Sequence, residues 1–193
     1  FGVLYPPSDL QSFHCSSGTS FNTSGEAYSL GAANVNTPPE SSENIELGAR
    51  IDSADKKFTT RVALFKSTKK HERNTDPLQP GITVLTGKRH AAGIDMDVSG
   101  YITPQWEVFG SYMWMPVAKI DIGAQGSEGE GQRPSLTPKH SGTVWTTYQI
   151  TPQLRVGGGL NFRSKQTPNR NPGFYAPSYV TADLMAEYAI EVD

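Results

Sequence analysis

The residues of this chain best suited to chemistry are cations set beside aromatic rings. Lys66, Lys69, Lys70, His71 and Arg73 form one group, Lys88, Arg89 and His90 a second, and Arg163, Lys165 and Arg170 a third that is followed by Phe174 and Tyr175. Cations and aromatic faces gathered in one place suit the capture of an anion that itself has aromatic edges, by non-covalent contact alone. Any single member is also what ordinary solvated loop charge looks like; the pooled set favours binding. The residues selected on this ground are Lys69, Lys70, Arg73, Arg163, Lys165, Arg170 and Tyr175.

Other constellations offer less. Asp95 and Asp97 are two apart and could chelate a cation, but fit better as lining of a watery interior that balances Arg50, Arg61 and Arg155. His14, His71, His90 and His140 share no metal-ligand spacing. No nucleophile-elbow motif occurs, and Gly157-Gly158-Gly159 lacks the lysine and helix of a phosphate loop. Three small residues there suit strong strand curvature or the close approach of something inside the sheet. The single cysteine, Cys15, excludes an intrachain disulfide framework and reads as a small strand residue. Asn22-Thr23-Ser24 matches a glycosylation sequon, a three-residue match that carries no function by itself.

The elements that would position these residues are strands. The phrase Ile102-Thr103-Pro104-Gln105 returns as Ile150-Thr151-Pro152-Gln153, each time as a tight turn leading into an alternating segment. Ile45, Leu47, Ala49 and Ile51 alternate with Glu46, Gly48 and Arg50; Ala92, Ile94, Met96 and Val98 alternate with Gly93, Asp95 and Asp97; Leu154 to Phe162 and Val180 to Ile190 behave alike. The pattern predicts about nine strands, near 1–5, 11–22, 42–52, 57–70, 82–101, 105–118, 139–150, 154–166 and 178–191, and no helix.

The connections alternate between short turns rich in Pro, Asp and Ser and long segments at 23–41, 71–81, 119–138 and 167–177. Short turns at one end and long loops at the other, on strands of bilayer-crossing length, are the layout of an outer-membrane β-barrel with its long loops outside. Trp106, Tyr101, Tyr148 and Tyr188 would then form a girdle on the short-turn side, with Trp114 and Phe162 toward the loops. The 17 Lys+Arg nearly balance 19 Asp+Glu, which gives no nucleic-acid footprint. Low mean hydropathy suits a barrel with a polar lumen as well as it suits a soluble protein. A soluble β-sandwich is the competing fold, because it too buries one face of each strand.

Thr37-Pro38-Pro39-Glu40-Ser41-Ser42-Glu43-Asn44-Ile45-Glu46-Leu47-Gly48, followed by a strand, a short turn and a strand, resembles the barrel of TonB-dependent siderophore receptors. Tyr101 to Trp106 resembles the family's next periplasmic turn. Thr137-Pro138-Lys139-His140 with Trp145-Thr146-Thr147-Tyr148 resembles a later strand. Gln166 to Pro172 and Asp183 to Tyr188 resemble the ferric-catecholate subgroup.

The resemblance implies an all-β, antiparallel up-and-down meander. Residues 1–193 would be an internal part of a barrel of roughly 22 strands, with the plug domain and final strands absent. It implies residence in the bacterial outer membrane among its lipids, and contact with TonB through that plug. It also implies uptake of a ferric siderophore, a catecholate trianion whose iron arrives with the ligand, so that no resident cofactor or metal is expected. Lumen-facing Asp and Arg would hold the plug. The barrel itself would do no covalent chemistry. The alternatives are a soluble β-rich binding module and a barrel hydrolase, for which His140 with Asp121 is the pair to test.

Overall fold

The computed structural model describes residues 1–22, 39–75, 83–123, 129–168 and 174–190, with side chains in 73–75 and 83–86 outside the description. Within these residues the chain is one nine-stranded sheet, β1 to β9 in sequence order, every neighbour antiparallel. The strands are β1 (Gly2–Ser8), β2 (Gln11–Asn22), β3 (Glu40–Asp52), β4 (Phe58–Thr75), β5 (Thr83–Thr103), β6 (Trp106–Ile122), β7 (His140–Gln149), β8 (Leu154–Arg163) and β9 (Tyr179–Tyr188). The predicted meander is therefore present, and β4 and β6 run further toward the loop end than the alternation suggested, while β5 gains two residues at its turn end.

Opposed residues of an antiparallel pair share a face, so the register sorts the side chains into rows. One row runs Phe13, Ala49, Val62, Met96, Tyr112, Gly142, Phe162, Val180. Another runs Cys15, Leu47, Leu64, Ile94, Trp114, His140. The other face carries Ser12, Arg50, Arg61, Asp97, Ser111, Thr143, Asn161 and Thr181 in a single row. One face is thus apolar and the other polar.

Among the described residues the apolar face has no second layer. Leu47, Leu160, Val144 and Val180 are 53–63% exposed and Leu184 is 92% exposed, while Ala118, Ile120 and Pro134 are the only buried apolar side chains among the described residues. That overturns the β-sandwich reading, since a sandwich would bury this face against a second sheet. The apolar face is the lipid face and the polar one the lumen face. The lower girdle is seen where Trp106 meets Tyr148 edge-on at 6.5 Å and donates its indole N–H to Thr146 Oγ1 at 2.6 Å. Tyr101 departs from expectation: it opposes Glu107, on the lumen face.

Glycines make room for rings on the neighbouring strand. Tyr112 and Phe162 stack at 6.4 Å across Gly142, where an added Cβ would stand 2.8 Å from the Ser111 carbonyl. On the lumen side the Trp145 ring occupies the space that a Cβ on Gly159 would need. The Gly157–Gly159 run therefore serves, at least at Gly159, to receive a ring from β7.

At the loop end, residues 129–138 fold back on β6. Ile120 N–H donates to the Gln132 carbonyl (2.9 Å) and Gly131 N–H to the Ile120 carbonyl (2.8 Å), with Gly131 at φ +81°. The register between β5 and β6 slips between Ala92 and Ile94, and the slip falls beside Pro116, which has no N–H to give. Arg133 answers it: Nη2 donates to the carbonyls of Met115 (2.5 Å) and Pro116 (3.2 Å). Burial lowers the pKa of this guanidinium below its usual value, though an arginine remains charged. Leu136 N–H then donates to the Thr167 carbonyl at 2.9 Å, tying this strap to the β8–β9 connection.

Two outcomes follow. Leu160→Arg, on the lipid face, should cost about 2–4 kcal/mol in urea unfolding from bilayers, and Thr143→Arg, on the lumen face, far less; equal costs would reverse the facing. Arg133→Ala should speed hydrogen exchange at the Ile120 and Gly131 amides about tenfold or more, the equivalent of about 1–3 kcal/mol. Unchanged exchange would mean that the strap does not depend on Arg133.

Candidate functional site

The side-chain period of two divides the basic residues of the loop end between the faces. Lys69 and Lys70 are adjacent on β4 and must point oppositely. Lys69 opposes Ser42 and Arg89 on the lumen side, with its Nζ 3.7 Å from Glu40 and 3.5 Å from Glu72. Arg89 joins the same group through Glu72 at 2.6 Å. Lys70 lies on the lipid-facing side and bonds Glu43 at 2.6 Å; the Lys70 ammonium is the main reason the Glu43 carboxylate is an ion-paired group. His71 takes φ +56° in a bulge, and Arg73 follows in β4 opposite Leu85. The predicted loop 71–81 is thus strand as far as Thr75. The side chain of Arg73 and all of Arg170 lie outside the described residues.

The third group converges better. Arg163 ends β8 between Ser141 and Tyr179, and among the described residues its guanidinium makes no ion pair. Two residues on, Lys165 Nζ stands 5.5 Å from the centroid of the Tyr175 ring. Gln166 and Ala176 exchange two backbone hydrogen bonds (3.1 and 2.8 Å), so the chain turns back on itself and carries Tyr175 to Lys165. His140 N–H donates to Ser164 Oγ at 3.0 Å, which anchors the base of this excursion on β7. Phe174 and Tyr175 are two-thirds exposed, open to a ligand from outside.

Below Arg163 a lumen-side cavity of about 420 Å³ is lined by Asp95, Met113, Thr143, Asn161, Tyr179 and Thr181 among others. Its wall is a hydrogen-bonded series: Thr143 Oγ1 donates to Asn161 Oδ1 (2.8 Å), and Asn161 Nδ2 donates to Asp183 (2.9 Å). Tyr179 went unnoticed in the sequence because nothing near it is charged; the signal available was its place opposite Arg163 at equal distance from the β8–β9 connection. Deeper still, Arg155 reaches Glu107 and Thr147 at 2.9 Å, and Arg50 pairs with Asp52 at 3.1 Å. Arg61 opposes Asp97 across β4 and β5.

His140 and Asp121 do not meet. Asp121 is bonded to His90 Nδ1 at 2.8 Å, and His140 Nδ1 faces the Tyr112 hydroxyl at 2.8 Å. No group of three or more His, Cys, Asp or Glu side chains fit to hold a metal ion occurs among the described residues. What the site can do chemically is bind: it offers cations, rings and hydroxyls around a polar opening.

This geometry has close counterparts. The chain is 29% identical to the probable TonB-dependent receptor BfrD of Bordetella pertussis over 98% of its length and 27% of that protein's. It is 28% identical over 77% of its length, and 19% of the other's, to the catecholate siderophore receptor Fiu of Escherichia coli K12. The crystal structure of the siderophore receptor PiuA from Acinetobacter baumannii superposes with a TM-score of 0.81 at 25% identity, over 98% of this chain and 29% of that one. The chain thus spans about a quarter of the length of the curated relatives it matches. The family model for the TonB dependent receptor-like β-barrel matches residues 1–192. With one sheet in meander order, one lipid face and one polar lumen face, the chain belongs to the outer-membrane TonB-dependent receptors, within their β-barrel.

Proposed function

We propose that the chain is the part of an outer-membrane receptor that meets a ferric siderophore of catecholate type on its way into the barrel. The observation that carries this reading is the Lys165 ammonium over the Tyr175 ring, two residues along the chain from Arg163, which makes no ion pair among the described residues and lines a polar cavity. A ferric tris-catecholate is a trianion with aromatic edges. A cation next to an open ring meets both properties at once, and each such contact is worth about 0.5–2 kcal/mol according to how far water is excluded. The relatives support the substrate class, since PiuA is described as a siderophore receptor and Fiu as a catecholate siderophore receptor.

In this reading iron is cargo, held by the siderophore, and the protein supplies no ligand to it. Lys69 is a weaker contributor than Lys165, because Glu40 and Glu72 already neutralise it. Transport would require TonB, acting through a plug seated against the lumen face, where Arg61, Asp95 and Asp97 are available to it. The strands bind and enclose, and the mechanism asks no covalent step of them.

The test is ligand-quenched tryptophan fluorescence on the protein extracted from its own outer membrane, titrated with a ferric catecholate and, as control, a ferric hydroxamate. Saturable quenching should be strong with the catecholate, and Arg163→Ala with Lys165→Ala should weaken it about tenfold or more. Equal response to both chelates would remove the catecholate assignment. Full affinity in the double variant would return these cations to solvated loop charge.

A further inference from the structure

The strap at residues 129–138 holds one side of the short segment that carries Lys165. That segment is clamped on both flanks. On one flank Ser164 N–H donates to the His140 carbonyl (2.9 Å) and His140 N–H to Ser164 Oγ (3.0 Å), which fixes it to β7. On the other flank the Thr167 carbonyl accepts from Leu136 N–H at 2.9 Å, which fixes it to the strap. Between the two clamps Gln166 pairs with Ala176 and brings Tyr175 back to Lys165. The Lys165 ammonium stands 5.5 Å from the ring centroid. A cation–ring contact reaches out to about 6 Å, so a drift of roughly 0.5 Å is enough to exhaust it.

The strap is shaped around its one bond to Thr167. Leu136 takes φ +55°, the left-handed region that a residue with a branched side chain enters at a cost of about 1–3 kcal/mol. Its side chain is exposed, so no packing offsets that strain. What the conformation secures is the Leu136 N–H directed at the neighbouring connection. Ties to β6 on either side of Leu136 keep the strain from relaxing. Before it, Arg133 Nη2 donates to the Met115 and Pro116 carbonyls, while Arg133 Nη1 and the Pro134 ring are buried. After it, the Lys139 carbonyl accepts from Met115 N–H at 2.9 Å. Arg133 and Lys139 thus grip the same point on β6, and Leu136 is the apex of the loop between them.

We infer that Arg133 and Leu136 are positioning residues: acting through the Thr167 carbonyl, they hold the Lys165 ammonium over the Tyr175 ring. Arg133 is a cation of the loop end whose charge is committed to backbone carbonyls, and it governs the siderophore contact without being part of it. The effect on affinity rests on the reading of Lys165 and Tyr175 as the siderophore contact; the positioning does not.

The test combines hydrogen exchange of the ligand-free receptor, extracted from its own outer membrane, with fluorescence titration by a ferric catecholate. Three variants break or keep the tie in different ways. Arg133→Ala removes the grip on β6. Leu136→Pro removes the N–H and forbids the positive φ. Leu136→Gly keeps the N–H and accepts that φ without strain. In the first two the Gln166 and Ala176 amides should exchange about tenfold faster or more, while the Ser164 amide, held by β7, keeps the parent rate. Leu136→Gly should match the parent. The first two should also bind the catecholate about fivefold or more weakly. In a Lys165→Ala background the same substitutions should change affinity by less than about twofold, because the contact they position is already gone. Unchanged exchange at Gln166 and Ala176 in both variants would overturn the inference. So would an affinity loss that persists in full in the Lys165→Ala background, since that marks damage to the fold as a whole. If exchange shifts as expected but Lys165→Ala binds as tightly as the parent, the proposed function fails and the positioning stands.

Discussion

Everything in this structure depends on one constraint: a single sheet must face hydrocarbon on one side and water on the other. A strand alternates its side chains with a period of two, so each residue is assigned to lipid or lumen by its parity. There is no core in the ordinary sense. Backbone hydrogen bonds between neighbours satisfy the chain, and a hydrophobic face that would be a liability in water becomes the site of attachment to the bilayer. Leu184, almost wholly exposed on that face, is at home there.

The same constraint explains how the sheet is held together laterally. With no second layer to pack against, side chains pack along rows within a face. Tyr112 and Phe162 reach across Gly142 on the lipid side, and Trp145 lies over Gly159 on the lumen side. A glycine between two strands lets a ring span the gap and shield backbone hydrogen bonds that would otherwise be edge-exposed; the stacked pair adds about 0.5–1.5 kcal/mol beyond area burial. Where the ladder is interrupted at Pro116, Arg133 supplies the missing donor from a loop, and the strap thereby ordered reaches the Thr167 segment next to Lys165. Support for the binding surface thus begins at a strand irregularity on β6.

The strands and their order were legible in the sequence because alternation, turn chemistry and the repeated Ile-Thr-Pro-Gln phrase are local signals. The extensions of β4 to Thr75 and β6 to Ile122 were not, because bulges near His71 and Pro116 break the alternation that would have revealed them. The site was half legible. Lys165 and Tyr175 were found as a cation and a ring, and the turn between Gln166 and Ala176 makes them one feature. Lys69 and Lys70 were pooled although their adjacency already required opposite faces. Glu72, a partner of Lys69, is three residues on, but Glu40 and Glu43 lie on β3, far away in sequence, and only the register reveals them as neighbours. Tyr101, placed in the lipid girdle by its type, is on the lumen face by its pairing with Glu107.

The central claim is the assignment of parity to face, and one scan tests it. Single cysteines placed in turn at positions 59 to 70 of a Cys15→Ser background, labelled with an environment-sensitive fluorophore in the native outer membrane, would be quenched from the lipid phase by a nitroxide-bearing lipid. The account requires quenching at 60, 62 and 64 with a fall-off at 66, 68 and 70, and protection at 61, 63, 65, 67 and 69. Quenching without a period of two, or at the odd positions, would contradict it.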